Sequence, residues 1–115
     1  TVTSDARDKI VDGPVPHGLS FINNLEPVAF HFKMDRQSSI PYGPKRYGFL
    51  AQDVLALEGS DPVIIDNEDA DNLRYAGESL VPVLVNAVKE LSAQVNTLMA
   101  QNADLEGRLF ALENP

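Results

Sequence analysis

SLVPVLVNAVKELSAQVNTLMAQNADLEGRLFALE, residues 79–113, is the stretch on which the fold turns. Leu84, Val88, Leu91, Val95, Leu98, Asn102, Leu105, Leu109 and Leu112 follow one another in alternating steps of four and three. That spacing repeats every seven residues. It is the seam of a coiled coil, with Leu84, Leu91, Leu98, Leu105 and Leu112 at d and Val88, Val95, Asn102 and Leu109 at a. An amphipathic helix lying along its own globule would keep a period nearer 3.6 residues, and this pattern stays nearer 3.5. Pro82 is tolerated only in a first turn, so the helix is expected to begin near Ser79, a residue suited to N-capping. Gly107 falls at an outward f position and costs about 1 kcal/mol of helix propensity. Continued to Glu113, the helix would be roughly 50 Å long.

The heptads leave the strand number open between two and three. Val at a with Leu at d, and one Asn at a, favours a parallel dimer. The e and g positions argue the other way: Val85, Ala87, Ser92, Gln94, Met99 and Gln101 are nearly uncharged and widen the sticky face. Only Arg108 at g and Glu113 at e look like an interchain ion pair, a small contribution at a surface.

Outward from the helix, residues from about 19 to 75 read as a small α+β unit. Pro27-Val28-Ala29-Phe30-His31-Phe32-Lys33 alternates apolar and polar side chains as a half-buried strand does. Tyr42 to Arg46, with turns at Pro41 and Pro44, reads as a loop. Tyr47 to Val54 then leads into a short helical stretch ending near Gly59. Val63-Ile64-Ile65 and Leu73-Arg74-Tyr75 are short β-prone runs joined by the acidic residues 66–72, a hairpin with a charged tip. The expected fold is therefore α+β: a small mixed globular part with short strands, residues 1–77, followed by a long C-terminal coiled-coil helix, residues 78–115.

Composition limits the function. The chain has 115 residues, room for one domain and for no cleft between lobes. It is 43% hydrophobic and 23% charged, which argues against disorder. No apolar run approaches the roughly 20 residues of a membrane span, and no signal-peptide pattern is read, so no membrane partner is expected. There is no cysteine, hence no disulfide, thiolate metal site or thiol nucleophile. The net charge of -8 is uneven: residues 1–46 hold six Lys/Arg against five Asp/Glu, and residues 47–115 hold three against twelve. Such acidity excludes wrapping a nucleic-acid backbone, which needs clustered cations.

Few constellations offer chemistry. Asn67, Asp69, Asp71 and Glu78 have the ligand offsets of a calcium-binding EF-hand loop, but Asn72 stands where its turn needs Gly and Arg74 where it needs an apolar residue. A solvated turn is the better reading. His17 and His31 have no ligand-spaced partner and read as structural or surface residues. Gly43-Pro44-Lys45-Arg46-Tyr47-Gly48 lacks a Walker pattern and reads as a turn. No cofactor or metal is expected. The segment Thr3-Ser4-Asp5-Ala6-Arg7-Asp8-Lys9-Ile10 carries two readings. Ser4 followed by acids is a helix N-cap pattern. Ser and Lys five apart can also form a catalytic dyad, in which the amine activates a weakly nucleophilic hydroxyl once desolvation or a cationic neighbour has lowered its pKa.

The order of motifs resolves the choice. Ser4-Asp5-x-Arg7-x-Lys9-x-Val11, then Leu19…Ile22…Leu25-x-Pro27-Val28-x-Phe30-x-Phe32, then Gly48-Phe49-Leu50-Ala51-Gln52-Asp53-Val54, then Leu73-x-Tyr75 and a Leu-rich heptad tail resembles one family. That family is the C-terminal intramolecular chaperone, or self-cleaving domain, of endosialidases and of phage tail fibres, tail spikes and neck appendages. The resemblance runs from Thr3 to Leu112. It implies a homotrimer that helps an upstream fibre segment of the same polypeptide to fold and then releases itself, in the host-cell cytoplasm during virion assembly. It implies a single-turnover serine autoprotease acting in cis at Thr3–Ser4, with Ser4 as nucleophile, Lys9 as base, and Asp5, Arg7, Gly48 and Gln52 in support. It also implies three strands rather than two, which would bring Asn102 together as a ring of three amides that fixes the coil register. The alternative is a non-catalytic trimerisation module that stays attached as a fibre end-cap.

Overall fold

The apolar residues that open the C-terminal helix meet those of the chain's middle third in a computed structural model that describes residues 3–114. After a 3-10 turn at Ala6–Asp8 come α1 (Leu19–Asn23), β1 (Val28–Lys33), β2 (Pro41–Gly48), α2 (Ala51–Glu58), β3 (Ile65–Asp66) and β4 (Arg74–Tyr75). A second 3-10 turn, Gly77–Ser79, feeds α3 (Leu80–Glu113), a helix of 34 residues. The architecture is α+β, with short strands and one long terminal helix. Thr1, Val2 and Pro115, which fall within the expected domain bounds, lie outside the described residues.

The strands form two separate antiparallel pairs, β1 with β2 and β3 with β4. Residues 42–46, expected as a loop, lie instead within strand β2, which runs on through Tyr47 and Gly48 before the helix begins. The prolines misled because Pro is excluded from central strands but tolerated in a two-stranded ribbon, where each strand has a free edge. Tyr42 pairs with Phe32 and Arg46 with Phe30, so residues 43–45 bulge opposite His31 alone. Gly43, at φ 79°, supplies the left-handed conformation that bulge requires. At the base of the hairpin Gly48 admits the Phe30 ring, which a Cβ would meet at 3.1 Å.

The core is small: Phe21, Val54, Ile64, Ile65, Leu80 and Val83 are buried together, with Ile22, Leu25, Phe49 and Leu55 packed around them. Helix α3 therefore belongs to the globule for its first two turns. Leu80, Val83 and Ala87, at positions g, c and g of the heptad frame, carry that contact. Ala87 thus packs inward on its own chain rather than widening the seam. From Val88 to Asn114 every residue is exposed, including the a and d residues Val88, Leu91, Val95, Leu98, Asn102, Leu105, Leu109 and Leu112. Among the described residues no helix is long and apolar enough to cross a membrane. Ser79 precedes α3 as expected, but it is already in helical conformation and makes no side-chain cap, since the 3-10 turn delivers the chain to the helix without one.

One buried charge holds the globule's middle together. The Glu58 carboxylate, at the end of α2, accepts backbone N–H bonds from Val63, Ile64 and Ile65, each at 2.8 Å. It lies on the apolar face of α2, at i, i+3, i+4, i+7 from Ala51, Val54 and Leu55, where it supplies the acceptors that the backbone N–H groups of residues 63–65 need. Glu58→Ala would leave buried donors unpaired and should destabilise the chain by about 3 kcal/mol, with Glu58→Gln recovering part of the loss through its amide oxygen. Urea denaturation at fixed protein concentration measures both; a loss below about 1 kcal/mol would show that water replaces the carboxylate.

Candidate functional site

The N-terminal segment is organised by its own side chains. Asp5, not Ser4, caps the 3-10 turn: its Oδ1 accepts from the Arg7 N–H at 2.9 Å. The Arg7 guanidinium returns to the same carboxylate through Nε at 3.1 Å and Nη2 at 2.8 Å, a forked pair. Asp8 and Lys9 donate their backbone N–H groups to the carbonyls of Asp5 and Ala6, closing the turn. One turn of backbone therefore separates Ser4 from Lys9 and places them side by side, with Lys9 Nζ donating to Ser4 Oγ at 2.7 Å. The capping work falls to Asp5, which leaves the Ser4 hydroxyl to Lys9. Thr3 precedes it directly, so the carbonyl of the expected scissile bond is the one bonded to the Ser4 nitrogen.

The Arg7 hydrogen bonds, from its side chain first and its backbone second, hold the Asp5 carboxyl below its ordinary value of 3.8, and Asp5 in turn raises the Arg7 guanidinium. A carboxylate whose pKa is depressed by folding contributes its interaction above the unfolded pKa and loses it as pH falls through the lower folded one. The turn should accordingly survive at neutral pH and open only below 3.8.

The pair stands in solvent. Residues 3–16 are exposed throughout, Ile10 and Val11 at 92% and 84%. The other expected motif residues lie elsewhere. Gly48 ends β2 under the Phe30 ring, and Gln52 lies in the first turn of α2, beside Arg36, Asp71 and Asn72. Among the described residues no hydrogen bond or ion pair joins Gly48 or Gln52 to Ser4 or Lys9. Their motif reports the junction of hairpin and helix.

Two histidines and the acidic tip have structural surroundings. His17 stacks on Phe21 at 4.5 Å between centroids, and His31 lies exposed in β1. At the tip, Asp66 and Asp69 accept the backbone N–H groups of Glu68 and Asp71, and Arg36 reaches across to the Asp71 carbonyl. Among the described residues no group of three His, Asp or Glu is placed to hold a metal ion.

What the sequence did not disclose is how the N-terminal segment is tied down. Asn86 Nδ2 donates to the carbonyls of Val15 at 3.2 Å and His17 at 2.9 Å, and Glu90 Oε2 accepts the Leu19 N–H at 2.9 Å. The available signal was a second stripe on α3, residues 83, 86, 87 and 90, spaced i, i+3, i+4, i+7 beneath the stronger heptad.

The chain thus joins a small α+β globule to a self-ordered Ser/Lys turn at one end and a helix with an exposed heptad face at the other. Residues 4–61, half of the chain, match the family described as chaperone of endosialidase, and the chain belongs to that family. The match opens on Ser4 and closes after α2, so it takes in the Ser/Lys turn, α1, the hairpin and α2, and leaves α3 outside. Comparison with curated proteins and with solved structures found no match.

A carbon-detected NMR titration of Asp5 should give a midpoint below 3.8, moving up towards that value in Arg7→Ala. An unchanged midpoint in the variant would show that the forked pair does not form in solution.

Proposed function

We propose that this chain is an intramolecular chaperone that trimerises, assists the folding of an upstream fibre or spike segment of the same polypeptide, and then releases itself by cutting Thr3–Ser4. The observation that carries the catalytic part is the 2.7 Å contact between Lys9 Nζ and Ser4 Oγ at the first residue of the family match. In the reacting form the bond runs the other way: neutral Lys9 accepts the Ser4 hydroxyl proton as Oγ attacks the Thr3 carbonyl carbon. The Thr3 C–N bond to Ser4 breaks, and Lys9 returns the proton to the departing Ser4 nitrogen. The Thr3 acyl group is then an ester on Ser4 Oγ. Water hydrolyses that ester, leaving a carboxylate on Thr3 and a free Ser4 hydroxyl. Each chain turns over once, and no separate substrate site is required. Asp5 and Arg7 hold the turn that presents the pair.

The chaperone part rests on the division of labour along the chain. The globular part, residues 1–77, carries the reacting turn, and the helical part, residues 78–115, assembles it. The bare seam of α3 is the supporting observation. One chain leaves Leu91, Val95, Leu98, Leu105 and Leu109 exposed, at 46% to 60%, and a coiled coil of three helices covers them with Asn102 as a central amide ring. Assembly would take place in the host-cell cytoplasm while the virion is built. The rival reading, an end-cap that trimerises and stays attached, draws on the exposure of Ser4 and Lys9, which stand in water rather than in a dry site.

Two measurements test these statements. In the precursor that carries this chain behind its upstream segment, Ser4→Ala should abolish cleavage at Thr3–Ser4 and Lys9→Ala should slow it by about two to four orders of magnitude, as read by gel and mass spectrometry. Processing that persists in Ser4→Ala would sink the dyad, and an uncut wild type would favour the end-cap. Sedimentation equilibrium of the 115-residue chain should give three times its 12.6 kDa mass, against which a clean dimer would count. Leu98→Asp should return it to monomer with the globule still folded.

A further inference from the structure

The reacting turn is complete in itself and lacks only dry surroundings. Ser4, Asp5, Arg7 and Lys9 order one another locally, but all four are exposed, so the surface that strips water from Lys9 must be brought to the turn from elsewhere. Which surface the turn can reach is decided by where its tether is fixed. That fixing point is the Asn86–Glu90 face of α3, with the carbonyls of Val15 and His17 on Asn86 and the Leu19 N–H on Glu90. A Cβ on Gly18 would overlap the Glu90 carboxylate, so a residue without a side chain lets the contact close. Val15, Pro16 and His17, held this way, form one wall of a cavity whose other side is Glu58, Ile64 and Val83.

At about 100° per residue, Asn86 and Glu90 lie on nearly the opposite side of α3 from Leu84, Val88 and Leu91. One pair of helical turns thus presents the assembly seam to one side and grips the tether on the other. We infer that Asn86 and Glu90 are positioning residues for the self-cleavage proposed above: they fix the Ser4/Lys9 turn relative to the helix seam, so that assembly of the helices delivers the turn to the surface that buries it. The inference rests on that reading of Ser4 and Lys9.

The geometry sets the size of the effect. From Lys9 to the clamp at Val15 is six residues, a reach of about 20 Å; with the clamp released, the next anchor is the buried Phe21, twelve residues on and about 40 Å away. Doubling the radius enlarges the volume the turn explores about eightfold, and a misplaced reacting group costs up to about a hundredfold in rate.

In the full precursor, Asn86→Ala and Glu90→Ala should slow cleavage at Thr3–Ser4 by about tenfold or more while sedimentation reports an unchanged oligomer. Gly18→Ala, which pushes the Glu90 carboxylate aside with the sequence of α3 unchanged, should slow cleavage in the same direction by a smaller factor. Glu90→Gln keeps an acceptor for the Leu19 N–H and should cleave at close to the wild-type rate. Cleavage at the wild-type rate in both alanine variants of α3, or a loss that merely follows a loss of oligomer, would overturn the inference. A second readout does not depend on cleavage. The chain has no cysteine, so spin labels at Asp12→Cys and Ala93→Cys report the tether alone. A narrow distance distribution that broadens with Asn86→Ala supports the clamp, and one that is equally wide in both overturns it. Should the wild-type precursor remain uncut, self-cleavage fails, and the label distances still judge the clamp.

Discussion

Helix α3 has two faces to bury, and a single chain covers only one. Leu80, Val83 and Ala87 are enclosed by the globule; the a and d residues are not. The globule in turn has few resources of its own: seven buried apolar residues among those described, two of its strands only two residues long, and a side-chain carboxylate as acceptor for the N–H groups of residues 63–65. Burial of this extent stabilises a lone domain marginally. Anything that covered the exposed face of α3 would also steady the helix on which the core is built, and so would add to the stability of the globule.

The Ser/Lys turn stands in contrast, because it asks nothing of the core. A cap, a forked ion pair and two backbone bonds close within five residues. Local closure of this kind costs little chain entropy and forms wherever the segment happens to lie. Chemistry placed on such a turn is therefore decoupled from the stability of the domain that carries it. Any coupling of the turn to the rest of the chain has to come through its tether.

Much of this was legible beforehand, and the remainder was hidden for identifiable reasons. Helix α3, α2, β1 and the acidic hairpin follow from periodicity and turn residues; spacing left Ser4 open between a cap and a partner for Lys9, and the structure gives the cap to Asp5. Strand β2 was obscured because Pro41 and Pro44 signal a turn in most contexts, while a ribbon with free edges accepts them. Ala87 was assigned to the seam because the heptad outweighs the shorter stripe at 80, 83 and 87. Glu58, Asn86 and Glu90 were unreadable for another reason. A polar residue on an apolar face announces a partner without naming it, and those partners are backbone groups, which look the same in every sequence.

The hairpin's awkward sequence has an effect beyond its own shape. Two of the eight residues of β2 have no N–H to offer, Gly43 breaks its pleat, and Lys45 and Arg46 charge its rim. Strands so interrupted are poor templates for further strands. A ribbon with two free edges would otherwise recruit whatever extended chain lay nearby. This one can stand next to unfolded β-forming polypeptide without being zipped into it.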